Sequence, residues 1–242
     1  MEPTRHMNSL LSDIRAVFFD AVGTLITPNP SFVEVYLATA NHHVLQSSPA
    51  EINARFREAF RIEEDADRGR NWVCSEAGEE SRWRSIVTAV FRDRGTAEQI
   101  EACFLDLFAH FASPTAWRLI DHAGEVLAEL ANHGFALGVA SNYDRRLHSV
   151  LDGIPELSHV QHRVISSEVG RRKPDPRFFA EVVRRASYEA GQVLFVGDSL
   201  ENDYLGPNAA GMRAVLLDDS SRTFPDVLRI RRLPDLLEQT VG

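Results

Sequence analysis

Four short apolar runs limit what this chain can fold into. Ile14 to Phe19 (IRAVFF), Ala136 to Ala140 (ALGVA), Val193 to Val196 (VLFV) and Ala214 to Leu217 (AVLL) are nearly uninterrupted by polar residues. Such runs, without alternation, suit strands covered on both faces, as in parallel sheets. Arg163 to Ile165 offers a further, shorter strand. Helical patterns lie between them. Gly124 to Asn132 ends at His133-Gly134, where the glycine suits a helix C-terminus. Asp175 to Ala186 and Leu205 to Ala210 also read as helices. Strands alternating with helices predict right-handed βαβ units, and hence an α/β fold with a Rossmann-like, doubly wound parallel sheet.

The stretch from about Pro28 to Pro114 breaks that alternation. It holds no convincing buried strand, but amphipathic helices are expected over Phe32 to Leu45, Pro49 to Glu64, Glu79 to Asp93 and Ala97 to Phe111. Pro28, Pro30 and Pro114 bracket it, as expected where helices cannot continue. We therefore expect a helical domain over residues 28–114, inserted into a core formed by residues 1–27 and 115–242. Its aromatics Trp83, Phe91, Phe104, Phe108 and Phe111 recur at near-helical spacing and read as the insertion's own core.

A length of 242 residues suits a core domain with a smaller insertion. The net charge of -9 argues against non-specific nucleic-acid binding, which needs a basic surface, and against a polybasic membrane contact. No apolar run approaches the roughly 18 to 20 residues of a membrane span. Met1 to Ser12 is polar, and the 2 cysteines, Cys74 and Cys103, imply no disulfide framework. A cytoplasmic protein with neither nucleic-acid nor membrane partners is expected; oligomeric state leaves no mark in the sequence.

Each polar cluster of interest follows an expected strand or precedes a helix, where open α/β sheets bind ligands. Asp20 follows the first strand in Asp-Ala-Val-Gly-Thr-Leu, Ser141-Asn142 follows Ala140, and Gly197-Asp198-Ser199 follows Val196, with Asp203 shortly beyond. Lys173 lies in Arg-Arg-Lys-Pro-Asp-Pro and is the only lysine among 26 basic residues. Lysine is a compact point charge that enters a tight site, whereas arginine is a bulky planar fork.

In this order, the clusters resemble the four motifs of the haloacid dehalogenase superfamily, in the branch with a helical cap between the first and second motifs. The matching segments are Phe18 to Leu25, Val139 to Tyr143, Arg172 to Pro176 and Val196 to Asp203, continuing into Ala209 to Met212. The resemblance spans nearly the whole chain. It implies that Asp20 is a nucleophile forming an aspartyl-phosphate. Asp20, Asp198 and the backbone carbonyl of Val22 would hold Mg²⁺, with Asp203 supporting from behind. Ser141 and the Asn142 amide would bind phosphoryl oxygens, and Lys173 would neutralise charge between phosphate and Asp20.

Val22 departs from the pattern. Phosphatases of the superfamily usually carry a second Asp there, which protonates the leaving alkoxide and later activates water. Valine cannot transfer a proton, and such help is worth about 10²–10⁴-fold. A carbon–halogen hydrolase also lacks that Asp but needs no metal, and the intact Gly-Asp-Ser with Asp203 argues for one. A phosphonate hydrolase would use a cap lysine, and this stretch has none. The expectation is a Mg²⁺-dependent phosphatase acting on a small phosphorylated molecule; the alternatives are a phosphate-binding or regulatory protein with little turnover and, less favoured, a carbon–halogen hydrolase. His42, His43, Glu63, Glu64, Asp65 and Asp67 are candidates for a substitute acid, although solvated side chains are the simpler reading. His159 and His162, with no further ligand nearby, read as surface residues, and Arg171-Arg172 and Arg231-Arg232 as solvated faces, with Arg172 close enough to help position phosphate.

Overall fold

The apolar runs form strands that pair in parallel. The computed structural model describes residues 9–221 and 224–238; most of the polar segment Met1 to Ser12 and the extreme ends of the expected core lie outside them. The chain runs β1 (Ala16–Phe19), β2 (Ile26–Pro28), α1 (Phe32–His42), α2 (Pro49–Gly69), α3 (Glu76–Phe91) and α4 (Ala97–His110). It continues through β3 (Trp117–Leu119), α5 (Ala123–Asn132), β4 (Ala136–Ser141), α6 (Arg146–Asp152), β5 (His162–Ile165), a single helical turn α7 (Ser166–Val169) and α8 (Pro176–Ala186). It closes with β6 (Val193–Gly197), a π-helical turn Leu200–Leu205, α9 (Gly206–Ala209), β7 (Arg213–Leu217) and β8 (Arg229–Ile230).

Six strands form one parallel sheet in the order β5-β4-β1-β6-β7-β8. The chain leaves β1 toward β4 and β5 on one side, then crosses to β6, β7 and β8 on the other. The reversal falls at β1, so the carboxyl ends of β4, β1 and β6 border one crevice, the usual ligand position in a doubly wound sheet.

Burial explains the uninterrupted apolar runs. In β1, Val17 and Phe19 face one apolar layer, which includes Val126, Leu130 and Leu147. Ala16 and Phe18 face the other, with Phe178, Phe179 and Val182 of α8. Both sides of the strand are covered, so neither can carry a polar residue cheaply.

The helical block α1–α4 has its own core, built around Tyr36, Ile52, Phe91 and Phe104. Its helices start where local chemistry dictates. Ser31, Ser48 and Thr96 each cap a helix, paired with Glu34, Glu51 and Gln99 three residues on in reciprocal capping boxes. α2 extends past the expected end at Glu64 to Gly69. Arg61 pairs with Glu58 and Asp65, and Arg70 with Asp67, which offsets repulsion within the acidic run.

Four elements escaped the sequence pattern. β2 and β3 are only three residues each and pair antiparallel, with Ile26 opposite Leu119, where the chain leaves and re-enters the sheet domain. α6 is short, and β8 is a two-residue edge. The segment expected to be helical from Leu205 begins earlier, as the π-helical turn that carries Asp203. Among the described residues no helix is long and apolar enough to cross a membrane.

Gly138 shows how tightly the central strands are packed. It lies opposite Phe18, and a Cβ there would come within 2.2 Å of the Phe18 ring. Gly138→Ala is expected to destabilise the fold by about 1–3 kcal/mol through overpacking. That corresponds to a fall in melting temperature of roughly 3–10 °C, measurable by calorimetry.

Candidate active site

Asp20 leaves the end of β1 with its N–H bonded to the Val196 carbonyl of β6 at 2.9 Å. The strand ladder thus extends one residue and fixes the start of the side chain. The backbone then turns sharply: Leu25 and Ile26 donate to the Ala21 carbonyl, and Gly23 donates to Ile26. None of these bonds uses the Val22 carbonyl. Gly23 sits at φ +94°, and a Cβ there would lie 2.5 Å from Asp198 Oδ2, so only glycine fits. Thr24, fully buried on the same turn, donates from its hydroxyl to Asp198 Oδ1 at 3.4 Å.

Lys173 is buried at the centre. Its Nζ donates to Asp20 Oδ1 at 2.7 Å and to Asp203 Oδ1 at 2.6 Å. Its backbone is clamped by Asn142, whose side-chain Oδ1 accepts from the Lys173 N–H at 2.7 Å and whose Nδ2 donates to its carbonyl at 3.0 Å. The side-chain amide of Asn142 therefore positions the lysine. Asp203 Oδ2 in turn accepts from the Ser199 N–H at 3.0 Å. Ser141 is buried at the end of β4 and lines the same cleft.

The charges explain the ionisation behaviour. Burial works against the Lys173 ammonium, but Asp20 and Asp203 outweigh it and raise its pKa above the ordinary lysine value. Burial raises the Asp203 pKa, with Asp20 adding to the effect and Lys173 opposing it. Asp198 keeps a side open to solvent; the surrounding protein, then Asp20 and Asp203, raise its pKa as well.

Oxygens of Asp20, Asp198 and Asp203 lie within 4.8 Å of one another. Among the described residues no lysine or arginine pairs with Asp198, so three carboxylates share one ammonium. An all-oxygen donor set with surplus negative charge fits a hard divalent cation such as Mg²⁺.

The acid cluster opens into a cleft of about 510 Å³ that runs beneath the helical block. The five aromatics expected to form the block's core divide here. Phe91 and Phe104 are fully buried, whereas Trp83, Phe108 and Phe111 are only partly covered and line the cleft, which Phe104 also reaches. Phe32, Tyr36, Phe56, Phe60, Trp117 and Tyr143 extend the aromatic wall. Helical spacing alone does not separate the two groups, because α3 and α4 each present one apolar face to the block core and its margin to the cleft.

Of the candidate proton donors, Glu64 lines this cleft, with a pKa raised by burial against the opposing pull of Arg82 and Arg172. His43 pairs instead with Asp106 at 2.7 Å beside His42, and Asp67 is buried in ion pairs with Arg70, Arg82 and Arg172. Glu63 reaches toward Arg70 and Asp65 toward Arg61. Arg172 lines the cleft, in keeping with its expected place near phosphate, but it is not the solvated residue its sequence context suggests. It is instead 5 % exposed, and its guanidinium reaches Asp67 at 2.5 Å and Glu79 at 3.2 Å. The side-chain partners lie on α2 and α3, remote in sequence, so nothing near Arg172 announced them. Arg231, Arg232 and His159 are exposed, and His162 half-buried.

The sequence pattern describing haloacid dehalogenase-like hydrolases matches residues 14–211. The chain is 33% identical over 208 residues to a haloacid dehalogenase-like hydrolase domain-containing protein 3 of Homo sapiens, covering 84% of this chain and 82% of that one. A ribulose-1,5-bisphosphate 5-phosphatase of Halopiger xanaduensis is 30% identical over 106 residues, 43% of this chain and 44% of that protein. Among solved structures, the HAD-hydrolase YfnB of Bacillus subtilis, bound to magnesium, superposes with a TM-score of 0.73 at 19% identity, over 92% of this chain and 96% of that one; at that identity the likeness concerns the fold.

The buried Lys173–Asp203 contact is expected to show strong coupling. Lys173→Met alone should cost about 3–5 kcal/mol, because it leaves Asp20 and Asp203 buried without their cation, whereas Asp203→Asn alone should cost less, since Lys173 keeps its bond to Asp20. The double variant should cost clearly less than the sum, as a double-mutant cycle of denaturant unfolding in metal-free buffer would show.

Proposed function

Because the chain belongs to the haloacid dehalogenase-like hydrolases, we propose that it is a Mg²⁺-dependent phosphatase acting on a small phosphorylated molecule, with Asp20 as nucleophile. The observation carrying this reading is Lys173 Nζ between Asp20 and Asp203, with Asp198 open beside them. A carboxylate and a phosphate dianion repel each other, and a fixed ammonium at the point of approach offsets that repulsion. Asp20, Asp198 and the Val22 carbonyl would hold the metal, and Mg²⁺ bound there would neutralise and orient the phosphoryl group.

In the first step a carboxylate oxygen of Asp20 attacks phosphorus. The bond to the leaving oxygen breaks, and its electron pair stays with that oxygen. Ser141 and the backbone N–H of Asn142 would receive the phosphoryl oxygens that do not transfer. Water then attacks the aspartyl-phosphate, which returns Asp20 as a carboxylate and frees inorganic phosphate. The helical block serves as a cap over the cleft, so that residues 28–114 shield the reaction from bulk water.

Val22 faces the cleft and packs against the sheet core, where it offers no proton. Leaving groups that need little protonation, aryl or acyl rather than alkyl, therefore suit this site. Glu64 supports a second reading, in which a residue of the cap supplies the acid, since it lines the cleft with a raised pKa. A carbon–halogen hydrolase has no use for the surplus carboxylate charge around Asp198. A phosphate-binding protein without turnover has no need of a nucleophile held by lysine.

Phosphate release should be measured across aryl, acyl, sugar and nucleotide phosphates, with and without chelator. Aryl phosphates should turn over faster than alkyl ones, chelator should abolish the activity, and Asp20→Asn should lack it; release that persists in Asp20→Asn would sink the reading. Val22→Asp should raise alkyl phosphate turnover by roughly 10²-fold, the low end of what general acid catalysis supplies. No gain in a folded Val22→Asp, together with a selective loss of alkyl turnover in Glu64→Gln, would identify Glu64 as the donor.

A further inference from the structure

Arg82 of α3 lines the cleft but is only 4 % exposed. Its Nε donates to Asp67 at 3.2 Å, and its guanidinium carbon lies 4.7 Å from the centre of the Phe60 ring and 5.8 Å from that of Trp83. Nη2 is buried with no hydrogen-bond partner. Buried donors are almost always satisfied, so an orphan guanidinium N–H on a side chain that lines a cavity needs an explanation.

The local charges point the same way. Arg82 shares one oxygen of Asp67 with Arg172, while Arg70 holds the other oxygen at 2.6 Å. Burial and then repulsion from Arg172 lower the Arg82 pKa, against the opposing pull of Glu79 and Asp67. Glu64 lines the same cleft but forms no ion pair with Arg82 among the described residues. Its presence, with Asp67 and Glu79 already facing Arg82 and Arg172, disfavours a dianion such as a second phosphate and leaves a singly charged group as the better match for the open N–H. A carboxylate accepts a charge-assisted bond from one N–H, about twice as strong as a neutral one.

We propose that Arg82 is a specificity residue that receives a carboxylate carried on an aromatic or flat apolar body of the substrate, the body lying against Phe60 and Trp83. The proposal deepens the phosphatase reading and rests on it for the phosphate end. The other end of the ligand is read from the cleft alone. Arg172 links the two ends, since it shares Asp67 with Arg82 and is adjacent in sequence to Lys173.

Binding can be followed without turnover, because Trp83 and Trp117 both line the cleft. The intact protein is titrated with 4-propylbenzoate and with 4-propylbenzyl alcohol, reading tryptophan fluorescence. The benzoate should bind about tenfold or more tighter than the alcohol. Arg82→Met should lose that preference while still binding the alcohol, and Arg82→Lys should recover part of it. Equal binding of the two ligands by the wild type, or no saturable binding of either, overturns the proposal. So does a preference that survives in Arg82→Met, which would then belong to Lys173 or to Arg146 of α6, which also lines the cleft. Should Arg82→Met fail to fold, 4-carboxyphenyl and 4-methylphenyl phosphate are compared on the wild type. A kcat/KM advantage of about tenfold is expected for the former, and equal values overturn the proposal. Failure of the phosphatase reading would abolish that hydrolysis and leave the titrations intact, whereas failure of the present inference would do the reverse.

Discussion

A single ammonium group holds the centre of this molecule together. Lys173 touches both Asp20 and Asp203, and all three side chains are buried. Unpaired, each carboxylate would carry a large desolvation penalty at the edge of a packed sheet. Paired, they still leave surplus negative charge, because Asp198 stands beside them with no basic partner among the described residues. Stability and function conflict here. For the proposed phosphatase, a site that bound its own charges completely would have nothing left to attract a metal or to attack phosphorus.

The lysine is positioned from two directions. Within the sheet domain, Asn142 at the end of β4 bonds both backbone groups of Lys173. From the helical block, Trp72 and Cys74 exchange backbone bonds with Arg172 and Gly170, and Asp67 and Glu79 hold the Arg172 side chain. Ser167 and the Arg145 N–H both reach Glu76 at the start of α3. The loop carrying Lys173 is thus pinned between the two parts of the molecule. A displacement of α2 or α3 acts one residue from the ammonium.

The sheet was legible because burial on both faces forces continuous apolar runs, and the polar residue that ends each run is conspicuous. Asp20, Ser141 and Asp198 could be placed on one edge from that pattern together with the strand–helix alternation. The lone lysine stood out in a chain that otherwise uses arginine. What stayed hidden depends on contacts between distant segments. The β2–β3 pair is three residues long and has no period to detect. Arg172 and Arg82 meet through Asp67, and their burial follows from how α2 and α3 pack against the lysine loop, which no local pattern encodes. The division of the aromatics between core and cleft failed for the same reason. Trp83 and Phe91 have the same local signature, and only the packing of the block decides which becomes a wall.

The aromatic cleft and Val22 constrain one another. A missing general acid removes about 10²–10⁴ in rate, or roughly 3–5 kcal/mol of transition-state stabilisation. Apolar contact with a substrate ring can supply binding energy of that size, since each buried aromatic contributes on the order of 2–3 kcal/mol. That energy is felt equally by substrate and transition state, so it lowers KM without replacing the proton. The deficit must be met where the bond breaks. It is met if the leaving oxygen belongs to a group that carries negative charge without protonation, as a phenol does better than an alcohol. On the proposed reading, a wall of aromatic rings beside Asp20 is the surface such a leaving group would seek, so Val22 and the character of the cleft favour the same class of substrate.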